Sequence, residues 1–181
     1  MGVQAEFVRL DADLLNDIRQ LASIDAYRQL TDFDPIYCLD LDRAWRRLAP
    51  LMAAASFPIN PITDGSPFPD EQRAWREGPG SRWLGVQDVA LAAAHLSRTP
   101  YSVLAPLVRS VVEAEEGVHV NLDVESPDYG KPLSPDEASR IVVGEEVVRE
   151  LTELLAEPYR DLCKFFDLAA LDGQCTIFWA A

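Results

Sequence analysis

Residues Ile36-Tyr-Cys-Leu-Asp-Leu-Asp-Arg-Ala-Trp-Arg-Arg-Leu-Ala-Pro-Leu-Met52 decide how this chain is read. Asp40 and Asp42 each offer a side-chain oxygen to the free N–H groups of a first helical turn, which marks a helix start. Trp45, Leu48, Ala49 and Met52 then fall at i, i+3, i+4 and i+7 and lay one large apolar face along that helix. Arg43, Arg46 and Arg47 occupy the polar face, with Asp42 four residues ahead of Arg46. The pattern predicts a helix to about Ala55, with Pro50 kinking or weakening its last turn. Such an element specifies packing rather than chemistry.

Working back toward the N-terminus, residues 2–9 read as a strand, with Val3, Ala5 and Phe7 alternating against Gln4, Glu6 and Val8. Asp11 caps a helix expected to reach about residue 23, striped by Leu14, Leu15, Ile18, Leu21 and Ala22. A short helix over Asp25–Leu30 stops before Asp34-Pro35.

Working forward, Ser56–Pro69 carries four prolines and an Asp64-Gly65 turn and reads as a long ordered loop, a type that often carries function. A helical turn over Asp70–Glu77 and the break Gly78-Pro79-Gly80 follow. Arg82–Gln87 leads as a strand into an alanine-rich helix, Asp88–Ser97. Thr99-Pro100 opens another helix to about Glu115, interrupted near Pro106. Val118–Glu125 alternates as a half-buried strand. Ser134-Pro135 opens a further helix that Gly144 splits. In its continuation, Glu145–Ala156, the side chains Val147, Val148, Leu151, Leu154 and Leu155 lie on a helical stripe. Pro158 is expected to restart a final helix, after which Asp172-Gly173 turns the chain into the apolar segment Cys175–Ala181. That segment would be an aggregation hazard if exposed, so it is expected as a buried strand paired with residues 2–9. The fold class that follows is α+β: one domain over 1–181, with a small mixed or antiparallel sheet including the N- and C-terminal strands, packed by several helices.

A chain of 181 residues with 48% hydrophobic side chains can bury a core without metals or disulfides. It contains no apolar run long enough to span a membrane. The first residues lack the basic patch and apolar stretch of a secretory signal, and Cys38, Cys163 and Cys175 are odd in number and widely spaced. Free buried thiols in the cytoplasm are the expectation. The formal net charge is −14, uneven along the chain: residues 91–181 hold 16 acidic and 7 basic side chains, residues 1–90 hold 14 and 9. Such a surface repels phosphate backbones and anionic membranes, which argues against nucleic-acid and membrane partners; solubility is the usual explanation of such acidity, and attraction to a basic protein partner is the sharper alternative.

The order of these pieces resembles the YfbM-like family, small bacterial proteins of unknown function. The likeness lies in Met1-Gly2 running straight into a strand, in Leu39-Asp-Leu-Asp-Arg-Ala-Trp-Arg-Arg-Leu48, in Trp83-Leu-Gly-Val before a helix, and in Ala169-Ala-Leu-Asp-Gly173 before a closing apolar strand. Gly117–Tyr129 departs from the family's pattern. The resemblance implies a single α+β domain and carries over no activity or functional residue.

Chemical motifs are sparse. His119, Asn121, Asp123 and Glu125 share one strand face, but successive same-face residues lie about 6–7 Å apart, so all four cannot converge on an ion. His95 has no second ligand at helical spacing, and no zinc spacing occurs. Neither a nucleophile elbow nor a phosphate-cradling loop is present, and capping accounts for Asp40 and Asp42. No catalytic residue, metal ligand or cofactor is therefore assigned. What remains is an interleaving of Trp45, Trp75 and Trp83 with six arginines between residues 43 and 82. Aromatic planes and guanidinium groups together can hold an anionic ligand or anchor an interface. The candidate ligand or partner residues are Arg43, Trp45, Arg47, Trp75, Arg76, Arg82 and Trp83, although core packing of the tryptophans explains the same pattern. The favoured function is a non-enzymatic protein-binding domain that uses its acidic surface or its proline-rich loop, for instance to neutralise a basic toxin or nuclease. The alternative is an anionic small-molecule binder or enzyme with a Trp/Arg-lined pocket.

Overall fold

Strand β1 (Ala5–Leu10) lies between β2 (Cys38–Asp40) and β5 (Cys175–Ala180) in the computed structural model, which describes residues 5–21, 23–68, 81–114, 127, 131 and 144–180. The sheet order is β2-β1-β5-β4-β3, with β3 (Ser66–Pro67) and β4 (Arg82–Leu84) completing five strands, and every pairing is antiparallel. The first and last described strands meet as the sequence predicts, in the register Phe7↔Phe178 and Val8↔Ile177. Being central, β1 and β5 are covered on both sides. Phe7 and Val8 are both fully buried, so the one-sided alternation expected for residues 2–9 does not hold over the described part of that strand.

One face of the sheet carries the larger core. Helices α3 (Trp45–Ala54), α4 (Val86–Arg98), α6 (Val108–Ala114) and α7 (Glu145–Leu171) supply it, and Phe7 sits at its centre with ring centroids 4.9 Å from Phe178, 5.6 Å from Phe166 and 5.8 Å from Phe165. The other face is closed by α1 (Ala12–Ile18) and α2 (Ser23–Thr31) over Val8, Leu10 and Ile177. This is one α+β domain.

Several boundaries move for physical reasons. The helix expected from Asp40 begins at Trp45, because Cys38–Asp40 is drawn into the sheet opposite Glu6–Val8 and Leu41 N–H donates to Ala5 O at 2.8 Å. Asp40 consequently caps a turn and not a helix: its Oδ1 accepts from Asp42 N–H at 2.6 Å. Helix α1 stops at Ile18, where Leu21 is left 40% exposed and has no burial to extend the helix. Pro106 does interrupt its helix, leaving α5 (Tyr101–Leu104), a 3₁₀ turn and α6. Pro158, by contrast, restarts nothing: α7 runs unbroken for 27 residues, because Leu155, Tyr159 and Leu162 on either side of it are buried on the core face. Tertiary burial there outweighs the lost backbone bond.

Ser56–Pro69 is anchored over its described part by Asn60, whose side chain donates to Ala49 O at 2.8 Å and accepts from Ile62 N–H at 3.2 Å. Gly65 takes φ +103° to bring Ser66–Pro67 onto β4. The expected Asp70–Glu77 turn, the Gly78-Pro79-Gly80 break, the Val118–Glu125 strand and the helix opened by Ser134-Pro135 lie outside the described residues.

Candidate functional site

The sheet separates the tryptophans that the sequence groups together. Trp45 points into the larger core, its ring 6.1 Å from Phe178, with the Arg46 guanidinium 5.5 Å from the indole. Trp83 lies on the opposite face, half-buried, with the Arg19 guanidinium stacked at 4.3 Å. Arg82 reaches back along the edge toward Gly65 O at 3.4 Å. Trp75 and Arg76 are outside the described residues. Of the candidate set, Arg43 and Arg47 come together with a shared cavity.

That cavity, of about 280 Å³, opens between the turn leading into α3 and the middle of α7. Its near wall is Leu41–Ala44 and Arg47; its far wall is Leu151, Leu154, Leu155 and Pro158, at i, i+3, i+4 and i+7 on one helical face. The near wall is fixed by the β2-to-α3 turn, in which Asp42 adopts φ +43° and Ala44 N–H donates to Leu41 O at 2.9 Å. Arg43 is exposed and makes no ion pair with a described residue.

A second, shallower concavity of about 430 Å³ lies next to the first along α7, lined by Glu150, Glu153, Leu154 and Glu157. Leu154 is common to both and 67% exposed. It therefore forms an apolar ridge with carboxylates on one side and the two arginines on the other. Arg149 pairs with Glu146 at 3.7 Å and with Glu153 at 3.4 Å, in an exposed arrangement of little energetic weight. Glu150 and Glu157 pair with no cation among the described residues. Val147 and Leu154, at 47% and 67% exposed, form the solvent edge of the apolar stripe of α7. The signal that could have found this site is Glu150, Glu153 and Glu157 at i, i+3 and i+7, flanking Leu154.

Other polar groups are tied into the fold. Arg9 is buried at the foot of β1, donating through Nη1 to Asp172 Oδ2 at 2.7 Å and to Gln174 Oε1 at 2.9 Å, with its guanidinium 5.0 Å from the Tyr37 ring. His95 packs edge-on against Phe57 at 4.4 Å. Cys38, Cys163 and Cys175 are free, and burial first of all pushes all three thiols up, away from the reactive thiolate. Among the described residues no three of His, Cys, Asp and Glu are arranged to hold a metal, and no helix is long and apolar enough to cross a membrane. The His119–Glu125 face lies outside them.

No family model matches the chain, and no curated protein matches it. Among solved structures it is similar to the crystal structure of YfbM from Escherichia coli, a protein of unknown function, with a TM-score of 0.58 and 14% identity over 98% of this chain and 99% of that one. The two share a fold along their whole length.

Proposed function

We propose, from a fold held in common with a bacterial protein of unknown function, that this chain is a YfbM-like bacterial protein of the cytoplasm that acts by binding another protein rather than by catalysis. The contact surface is the outer face of α7, and the partner presents a basic segment. Leu154 carries this reading: a large apolar side chain 67% exposed in a concave surface beside Glu150, Glu153 and Glu157. Leaving it in water is unfavourable, and covering it with an apolar anchor flanked by lysines or arginines would satisfy both the leucine and the carboxylates. The formal charge of −14 adds long-range attraction for such a partner. Three free thiols suit a reducing compartment.

The test is fluorescence anisotropy with a labelled synthetic Lys/Leu amphipathic peptide and a scrambled control of equal charge. The wild-type chain is expected to prefer the amphipathic peptide and to lose affinity as salt rises. Glu150→Gln/Glu153→Gln/Glu157→Gln is expected to weaken binding about tenfold or more, roughly 1.4 kcal/mol. Undiminished binding by that triple variant would rule the surface out.

A further inference from the structure

We infer that the occupant of this surface is an amphipathic helix of the basic partner, laid along α7 with one large apolar side chain seated in the cavity beside Leu154. This rests on α7 being the contact surface, and it specifies the partner's conformation and its anchor. Val147, Leu151, Leu154 and Pro158 follow one another at spacings of four, three and four, the alternation that gives a helix a straight apolar seam for a second helix. Val147 and Leu154 are exposed and Leu151 and Pro158 half-buried, so the seam turns toward solvent. Glu150 and Glu157 stand seven residues apart directly beside it, where a helix pair carries the charges that choose a partner. An extended segment cannot match both stripes. Its side chains alternate between opposite faces, so turning its basic residues to the glutamates turns its apolar residues away. On a helix, neighbouring positions lie about 100° apart and each turn rises about 5.4 Å, as on α7 itself, so a basic and an apolar stripe can face α7 together and stay in step with it. The cavity, at about 280 Å³, falls just below the range of small-molecule sites, about 300–1,000 Å³, and its aliphatic lining (Leu41, Leu151, Leu155, Pro158) fits one apolar side chain of that helix. A second copy of this chain is a poor occupant, because it would bring its own glutamates against Glu150, Glu153 and Glu157.

The experiment titrates the full chain with two peptides of one Lys/Leu composition, one with its leucines at helical period and one with lysine and leucine strictly alternating. The helical-period peptide is expected to bind about tenfold or more tightly than the alternating one, and to gain helicity by far-UV circular dichroism as it binds. Replacing its leucines by alanine one at a time is expected to single out one position, the anchor, at which affinity falls about tenfold. Equal or tighter binding of the alternating peptide overturns the inference; if that binding depends on the glutamates, the α7 reading survives with an extended partner. An equal loss at every leucine removes the anchor and likewise overturns the inference. Binding of neither peptide, or undiminished binding by the triple glutamate variant, overturns both. A concentration-dependent dimer of the chain alone, abolished by Leu154→Ser, assigns the seam to a second copy and overturns the inference.

Discussion

The phenol O–H of Tyr159 on α7 donates to the carbonyl oxygen of Thr99, 2.6 Å away at the end of α4, and both residues are buried. A parallel bond runs the other way, from the Tyr101 O–H to Thr152 O at 2.7 Å. Together they fasten the long helix that carries the proposed surface to the turn between α4 and α5.

Removing the first of these bonds leaves a buried carbonyl without its partner. Tyr159→Phe is expected to lower stability by about 1–2 kcal/mol, seen as a lower urea midpoint with an unchanged slope. An unaltered midpoint would mean that the bond contributes nothing net.

Glu6 faces Asp40 directly across the β1–β2 pair. Burial first, and Asp40 second, push its carboxyl above the usual value. The folded state therefore binds this proton more readily than the unfolded state, so its contribution is favourable in acid and is lost as pH rises through the raised value. Glu6→Gln is expected to stabilise the protein at neutral pH by roughly 0.2–1 kcal/mol, the scale of a cross-strand pair, with the gain vanishing in acid. Paired urea titrations at acidic and neutral pH check the sign.

A methyl group at Gly65 would stand 2.6 Å from Trp83 O, on a backbone with φ +103°. Gly65→Ala is expected to cost about 1–3 kcal/mol and to detach Ser66–Pro67 from β4. Faster hydrogen exchange at the Trp83 amide region, alongside a lower melting temperature, would report it.

Pro158 leaves the Leu154 carbonyl without its intrahelical donor while lining the cavity with Leu154. Pro158→Ala is expected to raise stability by about 1–3 kcal/mol.

Leu154→Ser touches an exposed side chain, so its stability is expected to stay within about 0.5 kcal/mol of wild type. Its affinity for the amphipathic peptide is expected to fall. A large loss of stability would place Leu154 in the core after all.

Amphipathic spacing and turn residues made much of the fold legible. The pairing of the terminal strands, the anchored proline-rich loop, the break at Pro106 and the Trp45–Met52 stripe follow from apolar period and from Pro and Gly chemistry, which act locally. The β2 strand was not legible, because Cys38–Asp40 becomes a strand only once β1 offers Glu6–Val8 as partners. Pro158 was misleading for the same reason: its local cost is real, but burial on both sides of it prevails.

For the site, local pattern could group Trp45 with Trp83 by their nearness in sequence, yet a sheet between them puts one on each face. Nor could spacing say which edge of the Val147–Leu155 stripe meets water. The sequence by itself determined a negatively charged α+β body, the periods of its helices and where most of them stop. Only the tertiary structure decided that Leu154 stays exposed and that Arg43 and Arg47 face α7, because which apolar side chains escape burial depends on partners distant in sequence.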